Sequence, residues 1–92
     1  MPKLSPAAIT AALRQVPSWK KRRQVISRTY QFKDFVAAMK FVNAVAKFAE
    51  RACHHPDIDI RWNKVTLALT THDAGGLTEK DFELGKRFDA LA

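Results

Sequence analysis

Asp57-Ile58-Asp59-Ile60-Arg61-Trp62-Asn63-Lys64-Val65-Thr66-Leu67-Ala68-Leu69-Thr70 is the stretch that decides the fold. Ile58, Ile60 and Trp62 alternate with Asp57, Asp59 and Arg61, and Val65, Leu67 and Leu69 alternate with Thr66, Ala68 and Thr70. Successive side chains point to opposite faces of a strand, so each run has one apolar face and one polar face, as in half-buried antiparallel strands. Asn63-Lys64 can serve as a two-residue turn, because Asn tolerates the left-handed conformation such turns need. That turn sets Trp62 opposite Val65, Ile60 opposite Leu67 and Ile58 opposite Leu69, so every apolar residue meets an apolar partner. The same register sets Asp57 opposite Thr70 and His55 opposite His72.

On the N-terminal side, Asp34 can cap a long helix running to about Ala52. Phe35, Met39, Val42, Ala46, Ala49 and Cys53 form one apolar stripe, widened by Phe41, Val45, Phe48 and Ala52. Pro56 ends the helix by driving His55 out of the helical region. On the C-terminal side, Asp73-Ala74-Gly75-Gly76 reads as a loop. A last helix then starts at Thr78, with Thr78 and Asp81 spaced for a capping box and Leu77 and Phe82 for a hydrophobic staple. Leu84, Phe88 and Leu91 continue its buried face.

Farther out, Gln24 to Phe32 reads as a strand with Ile26, Tyr30 and Phe32 on one side. Arg28 interrupts that face, and nothing nearby in the sequence explains it. Lys20-Lys21-Arg22-Arg23 reads as a solvated loop. Ser5 before Pro6 opens a short first helix carrying Ile9, Leu13 and Val16, which Pro17 closes. The order helix, strand, helix, hairpin, helix predicts an α+β single domain over 1–92, with helices against an antiparallel sheet.

Composition narrows the possibilities. The 92 residues carry 16 Lys and Arg against 9 Asp and Glu, a formal net charge of +7, which leaves an anionic partner open. Cys53 stands alone, which excludes a disulfide scaffold and fits a reducing compartment. No apolar run approaches the roughly 18–20 residues of a membrane helix, and the first residues hold no apolar signal core; a cytoplasmic location is the expectation.

All three histidines, His54, His55 and His72, fall between the second and third helices, and the hairpin gathers them at its open end. Glu50 lies four residues before His54, on the same face if the helix persists. Imidazole exchanges protons near neutrality, so converging imidazoles beside a carboxylate can provide both a donor and an acceptor. An elimination needs that pair, one group to protonate a leaving hydroxyl and one to take a proton elsewhere. Two other readings compete. Three histidines could bind zinc, although adjacent residues seldom point at one ion. Alternatively, His54-His55-Pro56 only ends a helix, and His72 only ends a strand.

Glu50, His54-His55-Pro56, Trp62, His72 and Asp81 match at every spacing the signature of the pterin-4a-carbinolamine dehydratases. The resemblance runs from Trp19 to the end of the chain. It implies a four-stranded antiparallel sheet covered by helices, with an extra short strand near Trp19. It further implies dehydration of 4a-hydroxytetrahydropterin to the quinonoid dihydropterin, recycling the cofactor of aromatic amino acid hydroxylases. The pterin is then the substrate, and neither a metal nor another cofactor is used. By the same resemblance His54, His55 and His72 are catalytic, with His54 and His55 transferring protons and His72 donating to or orienting the hydroxyl. Glu50 and Asp81 take the family's carboxylate positions beside the substrate, and capping alone would also explain Asp81. Homodimers or homotetramers formed through sheet edges and the long helix are implied too, along with partners that include the hydroxylases or a transcription factor. The chain departs from the pattern at Trp62, where Tyr is usual and which reads as a core residue, and at Lys20–Arg23, which replaces a glycine-containing turn. Trp19 is the sole aromatic beside that run, which argues against direct nucleic-acid binding. A non-catalytic module serving transcription or assembly is the alternative function.

Overall fold

The computed structural model describes residues 2–92. Helix α1 (Pro6–Gln15) starts where Ser5 Oγ accepts the Ala8 N–H at 3.2 Å. The chain then forms strands β1 (Lys20–Arg22) and β2 (Val25–Gln31) and helix α2 (Phe35–Ala52). Strands β3 (Asp57–Arg61) and β4 (Lys64–Leu69), a short 3-10 turn (His72–Ala74) and helix α3 (Glu79–Leu91) complete it. The strands make one antiparallel sheet in the order β1-β2-β4-β3. Lys20–Arg22 is therefore not a loop but an exposed edge strand, paired Lys20 to Ser27 and Arg22 to Val25. This is the short strand the resemblance implies.

The core lies between one sheet face and the helices. Ile26 and Tyr30 of β2, Val65, Leu67 and Leu69 of β4, Ala38, Phe41, Val42, Val45 and Ala49 of α2, and Phe82, Leu84 and Phe88 of α3 are buried in one cluster. A fully buried Leu, Ile or Phe contributes about 1.5–3 kcal/mol. The buried face of α2 is turned from the predicted stripe, with Ala46 and Cys53 exposed and Phe35 48% exposed. Val36 beside Phe35 is exposed as well, whereas Ala38, one residue further into the same turn than Ala37, is fully buried. Leu91 is likewise exposed at the end of α3.

The hairpin register differs from the expected one by two residues. Ile60 pairs with Val65 and Ile58 with Leu67, so the turn is Trp62-Asn63 rather than Asn63-Lys64. Trp62, at φ 50°, takes the left-handed position. Asn63 is held elsewhere, its Nδ2 donating to the Phe32 carbonyl at 2.7 Å and its own carbonyl accepting the Phe32 N–H at 2.9 Å. A shift of two preserves which face each side chain occupies, so the apolar pairing survives the slip. Trp62 leaves the core and is 68% exposed. Since β3 is an edge strand, Ile58 and Ile60 are partly exposed as well.

Arg28 is explained by a residue 61 positions away. Asp89 Oδ1, on α3, accepts from Arg28 Nη1 at 2.8 Å, from Trp19 Nε1 at 2.9 Å and from the Tyr30 hydroxyl. The guanidinium lies 4.3 Å from the Tyr30 ring centroid. Trp19, 3% exposed, is a buried member of the group beside α3. A Cβ on Gly85 would stand 3.3 Å from its ring, so any larger residue there would have to push the ring back by a few tenths of an ångström.

Candidate active site

The site forms where α2 ends, β4 ends and α3 begins. Helix α2 stops at Ala52, and Cys53 takes the left-handed conformation (φ 53°, ψ 36°), with its N–H bonded back to Glu50. That reversal sends His54 and His55 in different directions. His54 turns inward to Asp81, with Nε2 to Oδ1 at 2.6 Å, while His55 Nε2 lies 2.8 Å from Glu50 Oε1 on the surface. Glu50 thus partners His55 rather than His54, because the helix no longer continues to carry the four-residue spacing.

Asp81 has two tasks. Its side chain is fully buried, and Oδ2 accepts the Thr78 backbone N–H at 2.9 Å and the Thr71 hydroxyl at 2.8 Å. The Thr78 contact is the expected cap at the start of α3. Oδ1 remains for His54, and a carboxylate accepting there requires Nε2 of His54 to carry the hydrogen. Ring orientation and tautomer are fixed together, and Nδ1 is left as the ring nitrogen for other work. Asp81 meets the pocket through His54, with no surface of its own there.

His72 opens the 3-10 turn after β4. The shifted register would place Thr70, not His72, opposite His55. The turn still brings His72 to the same hollow, about 300 Å3 in volume, which His54 and His55 also line. Cys53, Thr70, Thr71 and Asp73 complete its wall. A neighbouring depression of about 320 Å3 shares Cys53, His54, Thr71 and Asp73 and adds Lys80. The three imidazoles line one hollow, reached by a different path from the one the pairing count gave, while Glu50 and Asp81 contact His55 and His54 without lining it.

Thr71 is the residue that sequence reasoning missed. Its hydroxyl also lies 3.0 Å from Thr78 Oγ1, and its backbone closes a bridge to Gly76, with Gly75 at φ 76° making the return. The Gly75-Gly76 pair signals that tight return in the sequence. Nothing local marks the hydroxyl's acceptor ten residues on. Among the described residues, no group of three or more His, Cys, Asp or Glu side chains is placed to hold a metal ion.

A sheet of four antiparallel strands with three helices, and a hollow lined by three histidines and Asp73 at one end, defines a small α+β domain. The family profile described as Pterin 4 alpha carbinolamine dehydratase matches residues 2–91, and the chain belongs to that family. A relative from Acidobacterium capsulatum, provisionally named a pterin-4-alpha-carbinolamine dehydratase, is 58% identical over 99% of both chains. One from Chloroflexus aurantiacus with the same provisional name is 56% identical over 99% of this chain and 98% of its own. A solved structure from Brucella melitensis, described as a transcriptional coactivator/pterin dehydratase, superposes with a TM-score of 0.94 at 35% identity, covering 98% of each chain. A pterin dehydratase-like RuBisCO assembly factor of the alpha-carboxysome shares the fold, with a TM-score of 0.67 at 23% identity over 80% of this chain and 86% of that one. No helix among the described residues is long and apolar enough to cross a membrane.

Proposed function

We propose that the protein dehydrates 4a-hydroxytetrahydropterin to the quinonoid dihydropterin, using its own side chains and no metal or added cofactor. The observation that carries this reading is the lining of one pocket by His54, His55 and His72, with His54 anchored on a buried carboxylate. Sites for small ligands run from roughly 300 to 1,000 Å3, so the hollow suits a bicyclic heterocycle.

The reaction breaks the C4a–OH bond and removes the N5 proton, and the hydroxyl leaves as water once it is protonated. His54 Nδ1 and the His55 ring exchange these protons, and His72 donates to or orients the hydroxyl. Asp81 keeps His54 in one tautomer and Glu50 does the same for His55. Both carboxylates are positioning residues in this scheme. The product re-enters the cycle that supplies reduced pterin to aromatic amino acid hydroxylases, and the protein works in the cytoplasm. The exposed Ile58 and Ile60 on edge strand β3, with Trp62, Phe35 and Val36 near one end, support a homodimer or homotetramer.

Synthetic 4a-hydroxytetrahydropterin should lose water at least about a hundredfold faster with the protein than in buffer, the low end of what positioned acid–base groups supply. A rate equal to that in buffer contradicts the proposal. The coactivator description of the Brucella melitensis relative favours a second reading, a module serving transcription or assembly. Partner capture that persists in a His54→Ala, His55→Ala variant, with no dehydration by the unaltered protein, would select it.

A further inference from the structure

A second cleft lies away from the histidines, between α1 and the turn joining β1 to β2, with a volume of about 380 Å3. We propose that it binds a small organic anion, a carboxylate, phosphate or sulfonate carried on an aryl or short alkyl body. Nothing in the dehydration chemistry uses this cleft, and no residue lines both it and the histidine pocket.

Its two halves differ in chemistry. Leu4, Ile9, Leu13 and Leu77 make an apolar wall, Leu77 fully buried and the other three half-buried. Lys3, Lys21 and Arg23 stand at the rim, brought together from the N-terminal segment, strand β1 and the turn. Among the described residues no carboxylate lines the cleft. The sheet order keeps Asp57 and Asp59 on β3, at the opposite edge from β1, so the cations at the rim are not neutralised across the sheet.

The cleft is also held in shape. Arg23 sits at φ 56° in a turn fixed by the pairing of Arg22 with Val25. The Leu4 N–H donates to the Leu77 carbonyl at 2.9 Å, and the Thr70 hydroxyl donates to the Gln24 carbonyl at 2.6 Å. The Lys3 side chain passes over Gly76, where an added Cβ would stand 3.0 Å from its Cε. Apolar walls orient the body of a ligand, and a few fixed charges select its head. Neutral apolar molecules would leave the cations unused, and inorganic phosphate would leave the wall unused. A single-stranded nucleic acid would need stacking aromatics, and none lines the cleft.

Anilinonaphthalene sulfonate, an anion on an aromatic body, is the probe, read by methyl NMR and by fluorescence titration of the intact protein. The expected result is saturable one-to-one binding that shifts the methyl signals of Leu4, Ile9, Leu13 and Leu77 and spares Ile58 and Ile60. Lys21→Glu with Arg23→Glu, both on exposed side chains, should weaken binding about tenfold or more with an unchanged circular dichroism spectrum, since opposite charge at the rim repels the head. Inorganic phosphate alone should compete only weakly. Any of four outcomes overturns the proposal: no binding; shifts confined to Ile58 and Ile60; equal affinity for uncharged phenylnaphthylamine; or binding to phosphatidylglycerol vesicles without binding to the soluble probe.

Discussion

His54→Ala should lower the rate of pterin dehydration by about a hundredfold to a thousandfold and leave the fold intact. A positioned general acid or base is worth roughly 10²–10⁴ in rate. His54 is the one imidazole of the three held by a fully buried carboxylate. Truncation removes the ring but leaves Asp81 with the Thr71 hydroxyl and the Thr78 N–H, so the start of α3 keeps its cap. The lost contact should cost about 1–3 kcal/mol of stability. His55→Ala should cost less in stability, because His55 and Glu50 are both largely exposed and their pair is screened by water. Asp81→Asn distinguishes orientation from direct chemistry. It keeps the shape but supplies an amide that can present either end to His54, so kcat should fall more than KM rises. Steady-state kinetics on the three variants, with thermal unfolding as control, checks these statements. An His54→Ala protein that dehydrates the pterin at the original rate would remove His54 from the mechanism.

The largest effect on stability is expected at Asp89. Asp89→Ala strips the partner from Trp19, Arg28 and Tyr30 together, and should destabilise the protein by about 2–4 kcal/mol. The buried Trp19 and Tyr30 groups cannot turn to water, whereas the partly exposed Arg28 can, which keeps the cost below that of a fully buried ion pair. For a domain of this size the melting temperature would drop by roughly 10–25 °C. Asp89→Asn retains an acceptor oxygen and should lose less. The same node should make stability fall at alkaline pH. Burial, and then the Asp89 carboxylate, push the Tyr30 hydroxyl well above the ordinary phenol value. The unfolded chain ionises near pH 10 while the folded one does not, so this contribution is whole below about pH 10 and declines as the pH rises beyond it. Tyr30 is the chain's one tyrosine, so phenolate absorbance should appear only with unfolding. Phenolate forming near pH 10 in the folded protein would show that Tyr30 is not shielded, and a melting temperature within a few degrees of the original in Asp89→Ala would dismiss the network.

Local chemistry made most of the fold legible. Ser5-Pro6, Asp34 and Thr78 with Asp81 mark the helix starts, and each acts where its spacing says. Alternation assigned both faces of the hairpin, and because faces repeat every two residues it could not separate one register from another two residues away. What separated them was a pair of hydrogen bonds between Asn63 and Phe32, a contact across 31 positions. Arg28 was unreadable for the same reason, its partner lying on the last helix. The exposure of Ile58 and Ile60 follows from the edge position of β3, which depends on the order of all four strands, and that of Trp62 from its place in the turn. At the site, the clustering of the histidines could be foreseen, but the exchange of partners could not. That exchange arises from the left-handed Cys53, and the sequence holds no glycine there to announce it.

The most direct measurement is the imidazole NMR spectrum of the intact protein during titration with 7,8-dihydrobiopterin, a stable relative of the product. The chain has three histidines, so three ring signals report the whole of the proposed machinery. One saturable process that moves all three at the same ligand concentration is the predicted result. Ring signals that stay fixed at saturating ligand, or of which only one moves, would contradict a single pterin pocket built from His54, His55 and His72.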